Sequence, residues 1–317
     1  MKKIIITLLA ALFLVGCTSK VSESTTAPST ASESQAQDKK PVVVVTTSFL
    51  EDIVNVLAKD LVEVEVIIPA NEDPHTYEAK PEDFNKLDRA DLILYHGLHF
   101  EGKILEFLEA KNGVDLTANF DKANLLVMEE DGHEIVDPHF WFDIELYKQA
   151  TTNAYEALKT VLPTQDEVLK TNLDAYATKL DELKEYGIQQ IGSIEKSQRI
   201  LITPHDAFGY FARQYDIQVA APQGVSTDAE LSIEDLTKTA DFIVENQVKA
   251  IFAETTTDPA RMEKLKESCK AKGFEVKVVS GEHQELYSDS LAPKGVFGDN
   301  YIDMVKHNID LMVTNLK

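Results

Sequence analysis

One segment constrains the fold before any other. After residue 164, Leu169, Leu173, Tyr176, Leu180 and Leu183 recur at steps of 4, 3, 4 and 3. That spacing lays one apolar stripe along a helix of roughly 25 residues. Thr164 and Glu167 have the order of a capping box at its start. A helix this long, set between two runs of short alternating elements, is expected to be a connecting spine and not a crossover within one sheet.

Before the spine, strands are expected at Val42–Val45, Glu63–Ile68, Asp91–Tyr95 and Leu125–Met128, with helices over 49–59, 81–89 and 101–110. After it, strands at Arg199–Thr203, Ile217–Ala220, Lys249–Ala253 and Glu275–Val279 alternate with helices over 207–215, 233–246, 259–272 and 301–316. Asp258-Pro259 suits the start of one of these, an N-cap followed by proline in the first turn. Such alternation predicts an α/β fold with parallel sheets, about four β-α units in each half. A chain of 317 residues can bury one large core or two ordinary ones. The expected divisions are a first lobe over 41–162, the linker helix over 163–192 and a second lobe over 193–317.

The N-terminus reads differently. Met1-Lys2-Lys3 and the apolar run from Ile4 to Val15 have the form of a secretory signal, too short for a permanent membrane span. The run ends in Leu14-Val15-Gly16-Cys17, the pattern of a bacterial lipobox, so residues 1–16 are expected to be a lipoprotein signal peptide and Cys17 the lipidated residue. Residues 17–40, rich in Ser, Thr, Ala and Gln, are expected to be a disordered tether reaching roughly 25–30 Å. With Cys17 taken, Cys269 is left without a partner for a disulfide, and its helical position predicts a buried, inert thiol. A net charge of −23 argues against nucleic acid and anionic membrane surfaces as partners.

Two matching segments carry the chemistry. Asp73-Pro74-His75-Thr76-Tyr77-Glu78 and Asp137-Pro138-His139-Phe140-Trp141-Phe142-Asp143 both place an aromatic two residues after the histidine, then a carboxylate. Proline fixes its own φ and restricts the residue before it, so each imidazole leaves a stiff turn in a limited direction. His75 follows the second expected strand of the first half and His139 the fourth. His205 follows the first strand of the second half, and Asp289 the last. Ligands of parallel sheets bind beyond the carboxyl ends of strands, so two facing halves would gather three imidazoles and one carboxylate into a closed site for a divalent metal. Glu254, ending the Ile251-Phe252-Ala253 strand, and Asp137 are expected to hold ligand imidazoles from behind. His96 and His99 are expected as pocket neighbours, His133 on an acidic turn, and His283 and His307 on the surface. Glu282, Glu285 and Asp299 compete with Asp289 for the carboxylate position.

These residues resemble a known family. DPHTYEAKPED (73–83), YHGLHFEGKILEFLE (95–109), DPHFWFD (137–143), PHDAFGYFARQY (204–215) and YSDSLAPKGVFGDNYIDM (287–304) are similar, in order, to motifs of the TroA-like metal-binding lipoproteins, solute-binding proteins of bacterial manganese and zinc ABC importers. The similarity runs from about residue 41 to the end. It implies two (β/α)4 lobes joined by a single long linker helix, a metal site between them and restricted closure around the ion. It also implies His75, His139, His205 and Asp289 as the ligands; the third position is His or Glu in the family and His here.

The expected function is a lipid-anchored receptor on the extracytoplasmic face of the cell membrane. It would be monomeric, bind Mn2+ or Zn2+ as cargo and pass the ion to an ABC importer permease. Zn2+ would bind more tightly on intrinsic affinity, but zinc-dedicated relatives often carry a long His-rich loop where this chain has only His133, which favours manganese as the transported ion. Two other classes compete: a secreted zinc hydrolase, which would need an open metal position and a general base but shows no H-E-x-x-H signature, and a surface adhesin.

Overall fold

Four consecutive valines cannot alternate between a wet and a dry face, so β1 (Val42–Val45) belongs in a sheet covered on both sides, and all four are buried. The computed structural model describes residues 39–317 except 131, 132, 229 and 230. The expected signal peptide, Cys17 and the tether lie outside the described residues, save the exposed Lys39 and Lys40.

After α1 (Ser48–Ala58), β2 (Glu63–Val66) pairs in parallel with one side of β1. Beyond α2 (Pro81–Arg89), β3 (Leu92–Tyr95) pairs with the other side. Following α3 (Leu105–Ala110), the two-residue β4 (Val114–Asp115) completes a parallel sheet of order β2-β1-β3-β4. Here the strand expected at Leu125–Met128 needs correction. β5 (Val127–Glu130) instead forms an antiparallel hairpin with β6 (His133–Val136), so His139 follows a hairpin and not the fourth strand of the sheet. A two-residue strand has no periodicity to read, whereas the hairpin strand offered a short apolar start.

The helix α4 (Ile144–Val161) is absent from the sequence expectations. Ala150, Thr151, Ala154 and Ala157 make up much of its buried face, and such small residues give weak hydropathy contrast. The carboxylate of Asp143 caps it, accepting from the amides of Glu145 and Leu146.

The spine is α5 (Asp166–Gly192), and it buries Leu169, Leu173, Tyr176, Leu180 and Leu183, then Gly187 and Ile191. The Thr164–Glu167 capping box does not form: Gln165 is the N-cap and makes no side-chain bond. Asp166 instead accepts from the hydroxyl of Tyr155 on α4 at 2.6 Å. Along its length α5 packs on α1 and α4 of the first half and on α6 (Gly209–Tyr215) and α9 (Tyr301–Leu316) of the second.

The second half repeats the first. β7 (Ile200–Ile202) pairs in parallel with β8 (Gln218–Ala220) and lies beside β9 (Ala250–Phe252), which pairs in parallel with β10 (Lys277–Val279). These are two separately bonded two-stranded ladders, with β7 lying beside β9, and α7 (Ile233–Glu245) and α8 (Ala260–Ala271) fall between their strands in the chain. Cys269 is fully buried on α8. One hydrophobic cluster runs from Val43 and Trp141 through the stripe of α5 to Phe252 and Met304, while the outer face of each sheet has a smaller core of its own. The two lobes thus share a single apolar interior around the spine.

Candidate metal centre

Each Asp-Pro-His segment folds into the same local turn. The Oδ1 of Asp73 accepts the His75 amide at 3.0 Å, and the Oδ1 of Asp137 accepts the His139 amide at 2.9 Å. Proline between them has no N–H to compete for the carboxylate, so the aspartate bonds the backbone two residues on. The result aims each imidazole away from its own turn.

In the second half, β7 delivers His205 and an isolated parallel bridge pairs it with Gln223. A second bridge joins Glu254, after β9, to Leu286 and so brings Asp289 to the same end of the sheet. His75, His139, His205 and Asp289 converge, each offering one ligand atom within 4.8 Å of the others. The Nε2 atoms of His75 and His139 are 3.4 Å apart. Asp289 sets Oδ1 at 3.3 Å from the Nε2 of His139 and Oδ2 at 3.2 Å from the Nε2 of His205. Atoms bound tetrahedrally at about 2.1 Å to one ion stand about 3.4 Å from each other, so these spacings fit a first-row divalent metal.

Behind the cluster stand carboxylates. The Nδ1 of His139 lies 2.7 Å from Asp137 Oδ1, and that of His205 lies 2.6 Å from Glu254 Oε2. A carboxylate accepts, so each ring carries its N–H on Nδ1 and turns Nε2 to the centre. The Ser288 hydroxyl donates to Glu254 at 3.0 Å, and the indole N–H of Trp141 donates to the Ser288 carbonyl at 2.9 Å, linking the His139 turn to the Asp289 segment. Trp141 is wholly buried, with its ring centroid 5.2 Å from that of His139.

Burial divides the electrostatics. It lowers His75, which has no carboxylate behind its ring, to about 3. Burial also disfavours charge on His139, but Asp137 and Asp289 outweigh it and raise this imidazole to about 9. At His205 burial is again outweighed, by Glu254 and Asp289, and the ring is held well above its usual value. Asp289 is buried too, yet His205 and His139 keep it well below the usual carboxylate range. Metal-free, the centre thus sets one imidazole held down by burial beside two held up by neighbouring carboxylates.

The other candidates fall elsewhere. His96 is buried against Phe100 and Trp141, with Nε2 2.7 Å from the Thr47 hydroxyl, outside the cluster. His99 is exposed at the rim, while His133 and His283 are exposed. His307, expected at the surface, is instead half-buried and meets the Glu285 carbonyl at 3.0 Å, because it lies on α9 against the Tyr287 segment. Asp299 binds the amide of Gly295, and Glu282 is exposed. Sequence reasoning passed over Thr227, whose hydroxyl donates to Asp73 Oδ2 from 154 positions away; no local signal could have found it.

Comparison with known proteins shows the family of the chain. The family described as zinc-uptake complex component A, periplasmic (ZnuA), matches residues 43–315. The zinc-binding protein TroA of Treponema pallidum is 35% identical over 289 residues, covering 90% of this chain and 92% of that protein. The manganese-binding lipoprotein MntA of Bacillus subtilis is 32% identical, covering 91% and 94%. A solved TroA structure, from work on TroA metal-binding specificity, superposes with a TM-score of 0.87 at 54% identity, over 88% of this chain and all of that one. With the fold, the buried His3Asp group and these relatives in agreement, the chain belongs to the TroA-like family of metal-binding, substrate-binding proteins of ABC transporters.

Proposed function

We propose that the chain is an extracytoplasmic receptor, anchored through Cys17, that binds one divalent transition metal through His75, His139, His205 and Asp289 and delivers it to an ABC importer permease. The observation that carries this reading is the spacing of three Nε2 atoms and one carboxylate at about the edge of a single coordination polyhedron. Asp137 and Glu254 hold two of the rings in the metal-binding tautomer. Among the described residues no helix is long and apolar enough to cross a membrane.

Manganese is the proposed cargo and zinc a tight binder in vitro. Both oxygens of Asp289 face ring nitrogens, which supports a carboxylate able to bind through two atoms and so to exceed four ligands, as Mn2+ prefers more than Zn2+ does. The named metals of the relatives divide between the two ions. A hydrolase would need the fourth position for water, and Asp289 occupies that side of the cluster. Titrating metal-stripped protein with Mn2+ and Zn2+ tests the reading. One-to-one stabilisation by either ion, lost in His139→Ala, supports it, and no stabilisation by either ion overturns it.

A further inference from the structure

A cavity of about 390 Å³ opens at the metal centre, with His75, His99 and Pro138 among its walls on one side and Val225, Ser226 and Asp228 on the other. Of the four clustered residues, His75 alone lines it; it is 6% exposed, whereas His139, His205 and Asp289 are fully buried. An ion leaving by this mouth passes His75 last.

The turn that carries His75 is tied to the second half at two points. The amide of Asn71 donates to the Ser290 hydroxyl at 2.9 Å. The hydroxyl of Thr227 donates to Asp73 Oδ2, while Asp73 Oδ1 holds the His75 amide. Thr227 is 7% exposed, and its carbonyl accepts from the Gln223 side chain at 2.9 Å. Gln223 in turn bridges His205 through the backbone and accepts from the guanidinium of Arg261. A continuous set of bonds therefore runs from the His205 strand end through Gln223 and Thr227 to Asp73 and the backbone of His75. Asp73 acts at once as the internal bond of its turn and as an acceptor for the opposite lobe.

We propose that Thr227 is a positioning residue that acts through Asp73 to hold His75 over the mouth, so that this bond sets how long the metal stays. The inference rests on the metal-receptor reading above. With the bond made, the His75 turn cannot swing from the centre without breaking a largely buried contact. Without it, Asp73 still orders its own turn, but among the described residues the hydrogen bond left from this segment to the second half is that of Asn71. Affinity differences among variants of one site reside mostly in the dissociation rate, which is where loss of Thr227 acts.

The test is the release rate. Full-length chain loaded with Zn2+ is mixed with excess EDTA, and release is followed through Trp141 fluorescence. Thr227→Val, which keeps the shape and removes the hydroxyl, is expected to release zinc about ten-fold faster, the effect of losing one bond of about average strength. Thr227→Ser retains the hydroxyl and is expected to restore the wild-type rate. Asp73→Ala cuts both links and is expected to release faster than Thr227→Val. The rate at which Zn2+ enters metal-free Thr227→Val should stay within about two-fold of wild type, which separates a hold on the bound ion from a general structural role. If wild-type chain binds one zinc, lost in His139→Ala, and both Thr227→Val and Asp73→Ala release at the wild-type rate, the positioning role is overturned while the receptor stands. If wild-type chain binds no zinc, both fall.

Discussion

Acidification should expel the metal, by an amount that follows from the charges of the empty site. With no ion bound, Asp137 and Asp289 raise His139 to about 9 against the pull of burial, and Glu254 and Asp289 hold His205 well above its usual value. Both rings are then protonated near pH 7. His75, lowered by burial to about 3, is neutral, and Asp289 is ionised. A metal needs the Nε2 lone pair of every ring, so binding must release about two protons. Each proton contributes a factor of ten per pH unit, so affinity should fall about 100-fold per unit of acidification, or about 2.7 kcal/mol. The slope should ease above about pH 9, where His139 loses its proton in the empty protein. A pH indicator in nearly unbuffered solution would count the protons as zinc is added, and chelator competition across the same range would give the slope. Asp137→Asn removes the charge that raises His139. It should therefore release about one proton near neutral pH, and its affinity should fall only about ten-fold per unit of acidification. Release of no protons by the wild type near neutral pH would refute the charge assignment of the two rings.

The metal-free protein should behave in the opposite sense. A histidine raised on folding stabilises below its unfolded value of 6.5 and loses that contribution as pH rises through the folded value, so the metal-free melting temperature should drop between about pH 6.5 and 9 while the loaded one does not. Metal should also change the fluorescence of Trp141, the only tryptophan, because it stands against His139; no change in wild type on one-to-one loading would contradict that contact as a reporter. Gly187→Ala should destabilise by about 1–3 kcal/mol in urea unfolding, although alanine gains about 1 kcal/mol over glycine inside a helix. A Cβ there would stand 2.4 Å from the ring of Tyr215, itself buried and packed on Phe211 at 4.6 Å, and a more stable variant would show that α5 does not meet α6 so closely.

Much of this architecture is legible locally. The stripe from Leu169 to Leu183 depends on helical spacing alone, and it emerges buried on α5. The Asp-Pro-His turns close within three residues, since a carboxylate two positions ahead of an amide needs no distant partner. The four valines of β1 declare a strand covered on both faces. Where the deciding contacts are distant or weak in hydropathy, the reading fails. β4 has two residues and owes its existence to pairing with β3, while α4 hides behind alanines and threonine. Thr164 and Glu167 had the right order for a cap, but Asp166 bonds Tyr155 instead.

The sequence by itself determined the alternation of elements, the spine and the residues able to bind a metal, because each depends on neighbours within a few positions. Only the tertiary structure decided that Asp289, and not Glu282, Glu285 or Asp299, meets His139 and His205, since that choice follows from the bridge of Leu286 to Glu254. The same holds for the bond from Thr227 to Asp73, which joins residues 154 positions apart and exists only once the two halves have packed. Periodicity records which face of an element is dry; which side chains meet across a cleft depends on how the whole chain packs.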